Sequence, residues 1–576
     1  MPRAIRSPVA SCGSPLIIPR ATVGVAAGVE ALVLVMLIER KAVAAVIALA
    51  MLTCATSRSL AASARGSNRS TSDASANPAD ALEAMAQRKF GTSISPAERK
   101  LLQAAPLRDV PWFGPSDDPD NAANDPAHGE NWGADRTVRA DFIAWLVGDP
   151  QAAQFVHPSG LALAGARITG SLDLSYATIG KPLTFVRCYL PDGINLSYAH
   201  LHDITVRRSR NGPVFGDMAV IHGDASFLNG DFGPLSFLRA QIDGTLDFSG
   251  ARILNVADDA VNIVEANIDG DVLFHDGFVT DGIVYARLAK IGHDLSFHGA
   301  EFRGDGQLDA ERATIGGTLY WVNVTHTPRT VLDLEDVHAG AIWDDEASWP
   351  APGNLDLHGF VYGDIAGGPS DGPARLRWLS LQQQEYHPQP YRQLAKVLGD
   401  MGRDDGAIQV RIAKEIAQRR FGHETLPQRA WSLILQYTIG FGYQPLRALW
   451  WIAGFVGLGT LLFGWGYRMR IITPTEEPAY REFVASGEAP PHYPVFNPLV
   501  YSLENFLPVV ELHQDKYWRP NPRHTVSAKA TRGGEPRDPS STPSRVLRWY
   551  LWLHILAGWT ITPLLFAGLS GLVRPD

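Results

Sequence analysis

The chain has 576 residues, room for several domains, and carries a formal net charge of −9. A net-acidic chain argues against a nucleic-acid partner, which calls for a basic stripe. With 3 cysteines there is no disulfide framework and no cysteine-rich metal site.

In chain order, Met36 to Ala64 reads as a secretory signal. Glu39-Arg40-Lys41 is the charged start, Ala42–Ala55 an apolar core too short to span comfortably, and Ala62-Ser63-Ala64 a small-x-small cleavage site. Translation is expected to start at Met36, with cleavage after Ala64, so residues 1–64 form the signal region and Cys188 is left alone. Residues 65–79 are a polar linker. Residues 80–159 read as a helical cap. Ser95-Pro96-Ala97-Glu98 starts a short helix with its N-cap and an N1 proline. Arg136 to Val147 spaces Val138, Phe142, Trp145 and Leu146 as a helix does, and such a helix would close the open end of a repeat stack. Trp145 reads as a core residue.

Residues 160–365 are repetitive. Gly170-Ser-Leu172-Asp-Leu174-Ser-Tyr-Ala177-Thr-Ile179 returns as Gly244-Thr-Leu246-Asp-Phe248-Ser-Gly-Ala251-Arg-Ile253, with looser copies at Ile194–Leu201, Leu295–Phe302 and Leu332–Val337. Apolar residues alternate at Leu172/Leu174, Leu183/Phe185, Leu235/Phe237 and Leu295/Phe297, so one side chain faces in and the next out. Markers at Ala177, Ala199, Gly230, Ala251, Gly277, Ala300 and Val324 fall at intervals of 22, 31, 21, 26, 23 and 24 residues. About 22 residues suits one coil of a parallel β-helix, with the longer intervals read as corner insertions. Each unit must stack on its neighbours to bury its apolar face.

The triplets Ala-Arg-Ile168, Ala-Thr-Ile179, Ala-Gln-Ile242, Ala-Arg-Ile253, Ala-Asn-Ile268 and Ala-Thr-Ile315 resemble the pentapeptide-repeat and related right-handed β-solenoid families. The resemblance implies a right-handed parallel β-helix. The five-residue register drifts, which favours a looser helix over a tight square coil.

Asp173, Asp247, Asp333 and Asp356 sit between inward apolar residues and so point outward, as a candidate ligand row or a solvated face that blocks aggregation. His200 and His202 lie two apart on a strand with both rings on one side; Asp203 is expected to point the wrong way to complete a metal site. No catalytic or nucleotide-binding motif is present. No catalytic residue, cofactor or metal is assigned.

Residues 370–425 read as a helix hairpin resembling a single tetratricopeptide-type unit. Tyr391, Leu394, Ala395 and Leu398 lie on one arm, and Ala407, Val410, Ile412, Ala413 and Ile416 on the other. Residues 426–576 read as a membrane domain with spans at 448–467 and 549–573, flanked by Trp450, Trp451, Trp465, Tyr467, Trp549, Tyr550 and Trp552. His554 is placed near the interface, where its polarity is cheap, and Pro563 lies inside the second span. Arg468, Arg470, Lys516, Arg519, Arg523, Arg545 and Arg548 crowd the loop between the spans, which sets that loop in the cytoplasm; Arg447 is the exception. Within it, residues 496–512, with Tyr501, Phe506 and Pro508, are too short to span and too apolar for a free loop, so an interfacial or re-entrant helix is expected. This order resembles the two-helix pore module of potassium-type channels, but the Thr-Val-Gly-Tyr-Gly filter is absent.

The whole order resembles a group of bacterial membrane-attached solenoid proteins of unassigned role. Some of these carry an oxidoreductase label, for which this chain offers no nucleotide fingerprint, cysteine pair or haem motif. The expectation is a multi-pass inner-membrane protein with a periplasmic solenoid. It would be a non-enzymatic binding or scaffold module for a cell-envelope polymer or partner protein, with self-association open. The alternatives are a β-helix glycan-processing enzyme, favoured if acidic and basic groups gather in one groove, and a pore built from the two spans.

Overall fold

A computed structural model describes residues 77–116, 121–254, 259–382, 386–422, 425–521 and 542–572. The signal region and most of the linker lie outside the described residues.

Between Leu161 and Gly367 the chain lays down short parallel strands, four to a turn, in a solenoid of about 9 turns. Leu161, Leu183, Ile204, Ala225, Leu246, Val272, Leu295, Leu319, Ile342 and Ile365 are successive register partners on one face, 21 to 26 residues apart. The second face runs from Thr137–Arg139 to Glu301–Phe302, the third from Leu172–Asp173 to Leu355–Asp356, and the fourth starts at Thr178–Ile179. The coil is therefore four-sided, not the looser helix expected from the drifting register.

An eight-residue phrase explains the shape: apolar-x-apolar-x-x-small-x-apolar, twice per turn. Leu161–Ile168 and Leu172–Ile179 form one turn, Leu183–Leu190 and Ile194–Leu201 the next. The phrase's two leading apolar residues and its last one are buried throughout these turns. The fifth residue turns the corner with a left-handed backbone. Glycine supplies it at Gly165, Gly250, Gly299 and Gly359, but Tyr176, Arg187, Tyr198, Arg208, Met218, Asn229 and Leu288 adopt it too, at φ between 49° and 61°. For a residue with a Cβ this conformation costs about 1–2 kcal/mol.

Two corners per turn also account for an error of spacing. Ala177 and Ala199 lie at the corner leading to the fourth face, whereas Gly230, Ala251 and Ala300 lie at the corner leading to the second. The 31-residue interval is a half-turn slip between them, and no insertion is present there. The best-matched copies are likewise out of phase: Leu172-Asp173 pairs with Ile194-Asn195 on the third face, Leu246-Asp247 with Ala225-Ser226 on the first.

Inside, identical positions stack. Phe227, Phe248, Phe274 and Phe297 form one aromatic column, with Phe274 and Phe297 at 4.8 Å and 2° between planes. Where the first face carries Phe274 and Phe297, the third face supplies Ala286 and Ala310, so the rung volume is conserved. Cys188 is fully buried among these rungs. Burial pushes its thiol up to about 12, so it is an unreactive filler.

Helices close both ends. Helix Pro96–Ala104 starts with a Ser95/Glu98 capping box, and Glu98, 1% exposed, also grips Arg139 at 2.7 Å. The expected Arg136–Val147 helix begins only at Ala140, because Thr137–Arg139 pairs as a strand with Arg167–Thr169. Phe142 and Trp145 pack with Phe90 in the core, as expected of Trp145. At the other end, helix Gly372–Leu379 and the hairpin Pro388–Asp400/Asp404–Phe421 cover the last rung. There Arg375, 0% exposed, binds both carboxylate oxygens of Asp344 at 2.6 and 2.8 Å and donates to the Pro369 carbonyl. Removing one partner would strand a buried charge at a cost of about 3–5 kcal/mol.

Beyond the hairpin, helix Leu426–Ile439 exposes Leu426, Trp431, Leu433, Ile434 and Tyr437. Helices Arg447–Arg468 and Thr542–Leu569 are long and apolar enough to cross a membrane. Short helix Pro498–Phe506 packs against both.

Because no atom crowds Gly299, Gly299→Ala isolates the left-handed penalty. We expect it to cost about 1 kcal/mol, and Met218→Gly to stabilise by a smaller amount. Denaturant midpoints of the two variants against the parent check this.

Candidate functional site

The outward residues of the faces and corners form columns along the rod. On the third face, Asp309, Asp333 and Asp356 are consecutive register partners. Two residues on, Arg287, Glu311, Glu335 and His358 form a parallel column. The backbone sets both: each aspartate ends a strand and accepts the N–H two residues later, as Asp333 does from Glu335 at 2.9 Å and Asp356 from His358 at 2.9 Å. Asp173 and Asp247 make the same turn with Ser175 and Ser249.

These expected ligand residues do not share one row. Asp173 lies at the far end of the third face beside Asn195, whose amide donates to it at 3.2 Å. Asp247 is on the first face between Ser226 and Leu273. Only Asp333 and Asp356 come together, joined by Asp309, Glu335 and Glu311, which sequence reasoning missed. The signal was present for Asp309, since Leu308-Asp309-Ala310 repeats the phrase of Leu332-Asp333-Leu334.

Arg287 grips Asp309 with Nε at 2.8 Å from both carboxylate oxygens, and His358 lies 3.3 Å from Glu335 and against the His387 ring. Asp333, Glu335 and Asp356 each place one oxygen within 4.8 Å of the others, the donor spacing that a divalent cation uses. Burial, with Asp309, Asp356 and Glu335 adding repulsion against the pull of the Glu335 N–H, raises the Asp333 carboxyl to about 6.

His200 and His202 are both exposed on the fourth face and the corner after it. Asp203 does not point away: its carboxylate bonds His202 Nδ1 and also accepts the Asp224 N–H of the next rung at 2.8 Å. Asp224 repeats this toward Thr245 and Asp294 toward Thr318, so these aspartates stitch rung to rung.

The corner between the third and fourth faces carries a different column. Tyr176 and Tyr198, 74% and 44% exposed, stack at 4.9 Å with 5° between ring planes. Exposed Met218 follows on the next rung, and exposed Phe215 lies just before that corner. The sequence held the signal, since Leu-Ser-Tyr-Ala occurs at 174–177 and again at 196–199. Flat apolar rings on a rigid edge suit stacking against a planar or ring-shaped partner.

In the apolar end of the chain, Tyr501 and Phe506 are 1% and 0% exposed, buried between the long helices, and Pro508 follows at a half-buried turn. His554 is fully buried, with Nε2 3.0 Å from the Ser502 carbonyl and the Tyr550 hydroxyl 3.4 Å from Nδ1. Gly459 and Gly558 permit this packing: a Cβ on Gly558 would lie 1.8 Å from the Phe506 carbonyl.

No known family profile matches the chain, and neither a curated protein nor a solved structure matches it.

A carboxyl whose pKa rises on folding contributes stability below the unfolded value near 3.9, and that contribution is lost as pH rises through about 6. Asp333→Asn should therefore match the parent near pH 3.5 and exceed it at pH 8 by roughly 1 kcal/mol, solvent screening included. Denaturant midpoints across that pH range test the sign.

Proposed function

We propose that this chain is a membrane-tethered binding or scaffold module. Its solenoid, in this reading, stands on the periplasmic side of a bacterial inner membrane and holds a cell-envelope polymer or a partner protein along its corner column. The two long apolar helices support the tether. The concentration of Arg468, Arg470, Lys516, Arg519, Arg545 and Arg548 at one end of them supports the sidedness.

The observation that carries the binding reading is the exposed Tyr176–Tyr198 stack. Both rings project from left-handed residues. Other large residues hold this corner conformation too, as at Arg187 and Arg208, so the support comes from the pair of exposed rings held in register and not from the backbone.

The test is co-sedimentation of the full chain, in nanodiscs, with purified cell-envelope polysaccharide. Two stacking rings at about 1 kcal/mol each imply that Tyr176→Ala/Tyr198→Ala weakens binding roughly tenfold or more. Undiminished binding by the double variant would remove the corner from the proposal. Reporter fusions in the 471–490 loop and at the C-terminus test sidedness independently.

A second reading, a β-helix glycan-processing enzyme, is favoured by one observation: Asp333, held up to about 6, stands among the carboxylates of Asp309, Glu335 and Asp356 with Arg287 beside them. A carboxyl with a raised pKa beside other carboxylates is the pairing that glycoside hydrolysis uses. Release of reducing ends from envelope glycan by the parent, abolished in Asp333→Asn, would shift the assignment to an enzyme.

A further inference from the structure

The apolar end of the chain contains a cavity of about 500 Å³ that the proposed module does not use. Its walls come from five separate elements, one of them the short helix Gln514–Tyr517 that carries Asp515. Thr473 lies on the strand that follows the first long helix, and Arg519 on the antiparallel strand paired with it. Asn505 lies on the short middle helix, and Arg548 on the first turns of the second long helix. Among Thr473, Asn505, Arg519 and Arg548, sequence separations of 14 to 75 residues are closed here, and two guanidinium groups 29 residues apart come to one space.

Neither guanidinium has a carboxylate partner within salt-bridge distance among the described residues. Arg519 donates Nε to the carbonyl of Asp515 at 3.2 Å, a contact that orients the group without neutralising it. Arg548 lies 5.4 Å over the ring of Trp552, which holds one face of the guanidinium and leaves the in-plane N–H donors for another partner. Asp515 is the one carboxylate in the lining, so the two arginines leave the cavity net positive. Elsewhere the chain does pair its arginines, as in Arg139–Glu98, Arg287–Asp309 and Arg375–Asp344. Two cations and one acid in a single lining are the arrangement expected where an anion completes the set.

The cavity is also two-sided. Leu551, Trp552 and Ile555 line it from the same stripe of the second long helix as Arg548, continuing away from the arginine along the helix. Trp552 remains 47% exposed. A ligand filling this space would meet forked hydrogen-bond donors at one end and an apolar helix face at the other.

We infer that this cavity binds a phosphate-bearing anion, the phosphate held by Arg519 and Arg548. Guanidinium forks match phosphate oxygens in pairs, and the apolar stripe suits the acyl chains of an anionic phospholipid. A free phosphate offers the same polar chemistry without the tail. The lipid form rests on the reading of the two long helices as membrane spans, since it then sets the cavity at their arginine-rich headgroup end.

The experiment uses the full chain in neutral detergent, with native mass spectrometry for bound lipid and thermal unfolding for stabilisation. Phosphatidylglycerol is compared with diacylglycerol, which lacks the phosphate, and with inorganic phosphate alone. The parent should retain phosphatidylglycerol at least tenfold better than diacylglycerol. R519Q/R548Q should lose that preference, and the single variants R519Q and R548Q should fall between. R468Q, which removes an exposed arginine at the same end but outside the cavity, should behave as the parent. An equal arginine-dependent stabilisation by inorganic phosphate alone would assign the site to a free phosphate. Retention that ignores the phosphate, or that survives in R519Q/R548Q, overturns the inference; should the double variant fail to fold, parent-like retention by both single variants does so. Alkaline carbonate extraction of membranes carrying the chain tests the spans separately. Release into the supernatant would refute the spans whatever the lipid result.

Discussion

Every rung of this solenoid depends on the next one lying directly upon it. A single turn presents short strands whose inner side chains have no partner within the turn. Their burial, and half of their backbone hydrogen bonds, come from the neighbour. That forces like onto like: Phe248 upon Phe227, Phe274 upon Phe248 and Phe297 upon Phe274. It also requires a corner tight enough to keep four short faces closed, which is why left-handed backbone recurs twice per turn in residues as different as Arg208, Leu288 and Asp336. Stacking energy gained along the rod offsets local strain at each corner, and the ends, where one neighbour is missing, need caps.

The caps use different chemistry for the same task. At the start, an apolar cluster of Phe90, Phe142 and Trp145 covers the first rung, and the single strand Thr137–Arg139 extends the second face by one position. At the finish, the last long strands end at a buried ion pair. Asp344 accepts Arg375 on both oxygens and the Trp349 indole N–H on one of them. An ion pair is a costly filler compared with apolar side chains. Its geometry, however, fixes the direction in which the chain leaves the coil, because both carboxylate oxygens and the Arg375 Nε are committed at once.

Much of this was legible in residue order. Alternation at Leu172/Leu174 or Leu295/Phe297 gives strands with one face in, and a 21–26-residue repeat gives the turn. Phase was harder to read. Because the two halves of a turn carry the same phrase, a local match cannot tell a full turn from a turn and a half, so Asp173 and Asp247 were placed in one row although they lie on different faces. Pairings between rungs were also invisible: Asp203 with the Asp224 N–H, or Arg287 with Asp309, depends on which residues end up one above another. The helix Leu426–Ile439 was missed for another reason. Its apolar residues are spread over much of its surface and it is too short for a span, so neither a core-facing pattern nor a membrane-length run marks it.

The contrast between the chain's arginines connects its two ends. In the solenoid and its caps, Arg139, Arg287 and Arg375 each meet a carboxylate at 2.5 to 2.7 Å. At the arginine-rich end of the long helices, Arg519 and Arg548 share a cavity with the single carboxylate of Asp515, and among the described residues their closest contacts are a backbone carbonyl and an indole ring. Both side chains are exposed, so water screens their mutual repulsion and their donors stay open to a counter-charge. Both arginines line the cavity, one on a hairpin strand and one on a helix that the same packing holds in place. A phosphate between them would give this end of the chain the pairing that Arg139, Arg287 and Arg375 find in carboxylates.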